Sequence, residues 1–135
     1  MKRRNPIRTP LETALTRVGF AILPRLPRSV IVALSRFMGW SAYHTSPGLR
    51  RIGFTNLDIA FGDLKTASEK KRILTRSFQS FALVLLDAFW FSRDTQARIN
   101  RWVSFDSSYD VLFKTKPHIC VTAHYGNWEV LGMAV

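Results

Sequence analysis

The amino-acid sequence predicts an α/β fold. Long helical apolar patterns occupy its first two thirds, and two short runs with strand character follow, at 102–105 and 119–123. Helical patterns stand beside both runs. That alternation in the second half is what an α/β domain requires.

Residues 1–10 are polar, basic and proline-containing and read as a tail. Residues 11–23 are mostly apolar with a helical pattern. Pro24-Arg25-Leu26-Pro27-Arg28 ends it, because proline cannot continue a helix interior. Ser29 is placed to cap a second apolar helix over 30–43. Neither stretch has the roughly 18–20 apolar residues that span a bilayer, and Arg17 and Arg36 interrupt them. The pattern fits two amphipathic helices on a membrane surface, with Phe20, Ile22, Leu23, Ile31, Leu34, Phe37 and Trp40 toward acyl chains. The same pattern also allows a helical hairpin packed on the domain. The broken apolar run does not match a cleavable signal peptide. The chain therefore divides into a membrane-associating segment, 1–43, and a domain, 44–135.

A turn-rich junction at 44–48 leads to a helix over 49–61, which Gly62 ends. Thr66 and Glu69 have the spacing of a capping box. The helix they start runs to about residue 91. Leu74, Phe78, Phe81, Leu85 and Phe89 recur at three- and four-residue spacing, which predicts a core stripe. Thr95 is placed to cap a short helix over 96–100. Residues 102–105 then read as a short strand, 110–114 as a helical turn and 119–123 as a strand buried on both faces. Cys120 lies in that second strand without a partner cysteine, so no disulfide framework exists.

The chain has 135 residues, an apolar fraction of 47% and a net charge of +11. These exclude a disordered chain. The charge is uneven. Residues 1–51 carry ten Lys/Arg against one acid, Glu12, for +9; the remainder carries ten against eight, for +2. A basic end interleaved with apolar residues suits an anionic membrane surface. A nucleic-acid module would instead gather its cations and exposed aromatics on one folded face.

The residues that can carry chemistry follow the second strand. His124 stands just past it, where open α/β sheets place their ligands. An imidazole there can take a proton from an alcohol. Glu129, five positions on, can fold back to the far ring nitrogen, fix its tautomer and stabilise the imidazolium. Gly126 permits a tight turn. Asn127 can cap the next helix or donate to a developing oxyanion. No serine elbow, phosphate loop or spaced metal-ligand set occurs in the sequence. Direct transfer with a substrate hydroxyl as nucleophile is the simplest chemistry these residues offer. The histidine–carboxylate spacing alone is a weak signal, since a capped loop histidine at a strand end looks the same.

The stretch Val121-Thr122-Ala123-His124-Tyr125-Gly126-Asn127-Trp128-Glu129-Val130-Leu131-Gly132 closely resembles the first signature block of the bacterial lipid A biosynthesis acyltransferases. These late lauroyl and myristoyl enzymes belong to the lysophospholipid acyltransferase-like superfamily. Arg50-Arg51, Asn56-Leu57, Ala60-Phe61 and the Glu69 helix resemble the segment preceding that block. Leu26-Pro27-Arg28 is similar to the family's membrane-proximal region. Tyr125 stands where the family often has phenylalanine.

The resemblance implies the N-terminal half of a glycerolipid-acyltransferase-like α/β domain behind membrane-associated helices. It implies an enzyme of lipopolysaccharide synthesis at the cytoplasmic face of the cell inner membrane. The reaction would move a fatty acyl group from an acyl-carrier-protein or CoA thioester to a hydroxyl of a membrane lipid such as a lipid A precursor. No cofactor or metal is implied beyond that thioester co-substrate. By position, His124 matches the base and Glu129 its acidic partner, with Gly126, Asn127 and Trp128 at the substrate. The implied partners are the lipid acceptor, acyl carrier protein and an anionic membrane surface, without nucleic acid. Family members are considerably longer, and two short strands fall below the three or more that an independent sheet needs. The chain is therefore expected to be an incomplete N-terminal half, inactive alone. The reading from another class is a non-enzymatic basic protein that binds a membrane surface or nucleic acid.

Overall fold

The computed structural model describes residues 8–105 and 126–134. Helices α1 (Arg8–Ile22), α2 (Arg28–Thr45), α3 (Pro47–Phe61), α4 (Ala67–Trp90) and α5 (Thr95–Trp102) follow in order, and α6 (Trp128–Ala134) closes the described chain. Tight 3-10 turns at Leu23–Arg25 and Gly62–Leu64 join α1 to α2 and α3 to α4.

The organising contact is α2 against α4. Ile31, Ser35, Gly39 and Tyr43 recur every four residues on α2, and all four are buried. The small residues let the two backbones approach closely. A Cβ on Gly39 would stand 2.4 Å from the Cα of Gln79. At one end of the seam Tyr43 meets Phe78 edge-on at 6.1 Å. At the other, Ile31 joins Leu86, Trp90, Phe91, Ile99 and Val130 in the core.

The remaining helices flank this pair. α1 lies on the second half of α4, where Phe20 packs edge-to-face on Phe89 at 4.9 Å and Gly19 abuts the same ring. α3 lies on the first half, with Gly53 against Leu74 and Lys70 paired to Asp58 at 2.6 Å. α5 contributes Ile99 and α6 contributes Val130 to the common core.

Local signals act as the sequence predicts at several places. Thr66 accepts from the Glu69 backbone at 3.2 Å, and the Glu69 carboxylate accepts from the Thr66 backbone at 2.8 Å, which completes the capping box. Gly62 takes a positive φ of 46° just past α3.

Other expectations need correction. Among the described residues there is no strand and no sheet; the fold they form is all-helical, not α/β. The strand expected at 102–105 is absent. Trp102 is the last residue of α5, held edge-on against Trp90 at 6.3 Å, and 103–105 run on without a ladder partner among the described residues. Val103 packs against the helical core there, while Trp102 and Phe105 are exposed. The strand expected at 119–123, the turn at 110–114 and Cys120 lie outside the described residues.

Helix starts also shift. α1 begins at Arg8, inside the expected tail, and α2 is entered through Pro27 with Arg28 already helical, so Ser29 is not its cap. Asp94 in the left-handed region, not Thr95, precedes α5, and Thr95 donates back to the Phe91 carbonyl at 2.6 Å. On α4 the core stripe is rotated. Leu74 is buried, but Phe81 and Leu85 are exposed, because α2 seats on the Ala82, Leu86 and Trp90 line. Of the residues assigned to acyl chains, Ile31 is fully buried and Leu23 and Leu34 pack on the core. Phe20, Ile22, Phe37 and Trp40 are exposed. Among the described residues, no helix is long and apolar enough to cross a membrane.

Candidate active site

Three distant segments meet at the C-terminal end of α4. The proline turn before α2 is pinned there from two sides. The Trp90 indole donates to the Leu26 carbonyl at 2.9 Å, and Arg98 of α5 donates to the Pro24 carbonyl at 2.6 Å and to the Trp90 carbonyl. Proline removes two backbone donors from this turn, so its free carbonyls find side-chain partners instead. The pinned turn delivers Arg28, the first residue of α2, over the rings of Trp90 at 5.0 Å and Phe91 at 5.8 Å.

A second guanidinium, that of Arg98, sits 4.0 Å from the Trp90 ring centroid. Cation–π attraction strengthens when both groups are withdrawn from water. Burial holds the Arg98 guanidinium below its ordinary value, partly offset by the nearby Asp94 charge.

Asp87 lies one turn before Trp90, and its side chain is only 3% exposed. A buried carboxylate must be paired and hydrogen-bonded to be tolerated. Arg28 grips it with both terminal nitrogens, one to each oxygen, the second at 3.1 Å. Asn127 donates its side-chain amide to the same carboxylate at 2.7 Å.

Asn127 works at both ends. Its side-chain oxygen accepts from the Val130 backbone at 3.2 Å, the bond of an N-cap. Gly126, at a positive φ of 67°, makes the turn just before it. Trp128 is half-buried, and its indole donates to the Glu129 carboxylate at 3.1 Å. Glu129 stands exposed in the first turn of α6, while its neighbour Val130 enters the core.

Of the residues proposed from sequence, Gly126, Asn127, Trp128 and Glu129 thus share one short turn. His124 lies outside the described residues. An open cleft of about 380 Å³ adjoins the turn, lined by Arg28, Asp87 and Asn127 on its polar side. Phe91, Trp102, Val103, Phe105, Val130 and Leu131 form its apolar side. No group of His, Cys, Asp and Glu side chains among the described residues is arranged to hold a metal ion.

Sequence reasoning gave Asp87, Trp90 and Arg98 no functional place, and put Arg28 in a membrane-proximal motif and among the basic residues facing an anionic membrane. One signal was available. Asp87 is the only charge in the run from Phe81 to Phe91. An acid in such a stretch implies a buried cationic or amide partner.

A family model for the bacterial lipid A biosynthesis acyltransferases matches residues 2–135. The chain belongs to that family. No curated protein and no solved structure matches it. Membership in the lipid A acyltransferase family supports an acyltransferase function in lipid A biosynthesis. The match runs from the basic N-terminus through all of α6, so Arg28, Asp87 and Asn127 all fall within the family region.

Proposed function

We propose that the protein transfers a fatty acyl group from a carrier thioester to a hydroxyl of a membrane lipid, with a lipid A precursor as acceptor. The donor is an acyl-carrier-protein or CoA thioester, and no cofactor is needed. His124 removes the proton of the acceptor hydroxyl as its oxygen attacks the thioester carbonyl. Glu129 orients the imidazole and stabilises its cationic form. The tetrahedral intermediate then collapses, the carbon–sulfur bond breaks, and the imidazolium returns its proton to the departing thiolate. Gly126, Asn127 and Trp128 shape the substrate side of the turn.

The observation that carries the proposal is the family match joined to Glu129, an exposed carboxylate on a capped and anchored turn. The proposed place of action is the cytoplasmic face of the inner membrane. Exposed Val30, Phe37 and Trp40 share one side of α2, opposite the Ile31, Ser35 and Gly39 seam. That second apolar side supports contact with lipid.

The experiment is transfer of a radiolabelled lauroyl group from acyl carrier protein to a purified lipid A precursor, by membranes containing the protein. The expected result is an acylated lipid whose formation falls in Glu129→Gln. Product formation at the wild-type rate in that variant would remove Glu129 from the mechanism. Absence of any acyl-lipid product would remove the proposed reaction.

A further inference from the structure

We propose that Asp87 is a positioning residue for acyl transfer: held by Arg28 and Asn127, it fixes the stance of the turn that carries Glu129 and follows His124. This rests on the acyl-transfer reading above.

The carboxylate uses both oxygens. Oδ1 accepts from Arg28, and Oδ2 accepts from Arg28 at 3.1 Å and from Asn127 at 2.7 Å. Asn127 is thereby gripped at its nitrogen by Asp87 while its oxygen caps Val130 at 3.2 Å. The orientation of that amide is set from both ends. A seven-residue helix cannot hold itself by its own backbone bonds, so α6 takes its place from what it is attached to. Met133 and Ala134 of α6 pack against the core, and its start is anchored by Asn127 on Asp87 and by Val130 in the core. Glu129 lies between Asn127 and Val130 and faces out.

The other end of the grip reaches the N-terminal helices. Arg28 is fixed over Trp90 and Phe91, and its own turn is tied to Trp90 and Arg98. α2, α4 and α6 therefore meet through one carboxylate. Simple packing would be met as well by apolar side chains of the same volume. What a carboxylate adds is direction, because it dictates which way the Asn127 amide points. Asp87 bears on the turn that carries Glu129 through Asn127, so its removal should lower kcat more than it alters KM. A displacement of about 1 Å in a catalytic group can lower the rate by about a hundredfold.

The test compares wild type with Asp87→Asn, Asn127→Asp and the exchange Asp87→Asn/Asn127→Asp, in acyl transfer and in amide hydrogen exchange. Asn127→Asp sets two carboxylates against each other yet keeps a side chain able to cap α6. The exchange restores one carboxylate facing one amide. We expect Asn127→Asp to lower kcat by about tenfold or more, and more than it alters KM. Exchange at the Val130 amide should speed up while the Ser35 and Leu86 amides stay protected. The exchanged pair should recover most of both losses. Wild-type kcat and Val130 protection in Asn127→Asp, or losses that the exchanged pair does not recover, would overturn the proposal. If wild type forms no acyl-lipid product, the acyl-transfer reading fails, and Val130 exchange across the same variants still decides whether the grip exists.

Discussion

At the scale of single residues, the decisive feature is a charge placed where the chain is otherwise apolar. Asp87 is tolerated because Arg28 and Asn127 satisfy it. Removing one partner of such a pair leaves an uncompensated buried charge and destabilises by about 3–5 kcal/mol. Asp87→Ala should therefore shift the urea unfolding midpoint strongly, whereas Arg28→Met/Asp87→Leu should shift it far less. An equal shift in both would mean that the pair contributes only volume. Little of this was legible in the sequence. Arg28 and Asp87 are 59 positions apart, and nothing local pairs them. Asn127 was legible as a cap because a cap is a local event, read from the turn of Gly126 and the helix beginning at Trp128. Its bond to Asp87 was not, because that bond depends on where α4 passes.

At the scale of elements, close approach and end chemistry decide the arrangement. Ser35 and Gly39 let α2 sink against α4, and this rotates the α4 core line away from Phe81 and Leu85. The apolar spacing on α4 was visible in sequence, but its choice of face belongs to its partner helix. Gly39→Ala would drive a Cβ into the Gln79 backbone, and overpacking of that kind destabilises by about 1–3 kcal/mol. Thermal denaturation would show it as a lower Tm; an unchanged Tm would mean the two helices can part freely. The start of α4 has a pH signature. Backbone and side-chain hydrogen bonds from Thr66 hold the Glu69 carboxyl below its ordinary value of 4.5. A depressed carboxylate stabilises the fold above its unfolded pKa, and that contribution is lost as pH falls through the lower folded value. Glu69→Gln should thus be less stable than wild type at neutral pH and converge with it as pH falls through the lowered folded value. A constant gap across that range, followed by circular dichroism, would contradict the capping role.

At the scale of the whole molecule, α1 and α2 present apolar side chains to the outside beside a strongly basic sequence. Phe37 is 63% exposed and Trp40 52%, stacked on each other at 6.4 Å. Burying either ring in a lipid surface would contribute about 1.5–3 kcal/mol. Flotation with vesicles containing anionic lipid should retain the wild-type protein. Phe37→Glu/Trp40→Glu should cut the bound fraction by about tenfold or more, and added salt should weaken what remains. Equal flotation of both proteins would place the membrane contact elsewhere. The basic end and the apolar pattern were readable in sequence. Which residues turn inward was not, because Ile31, Leu23 and Leu34 look no different from Phe37 until α4 is beside them. The strand signal at 102–105 failed for a similar reason, since Trp102 meets Trp90 edge-on rather than a sheet.

The functional reading comes down to one base. The most direct measurement is the initial rate of acyl transfer from acyl carrier protein to a lipid A precursor, for wild type and for His124→Ala. Loss of a general base lowers a rate by about 10²–10⁴-fold. A fall of that size, with the variant still folded by circular dichroism, is the predicted result. Transfer by His124→Ala at the wild-type rate would contradict it.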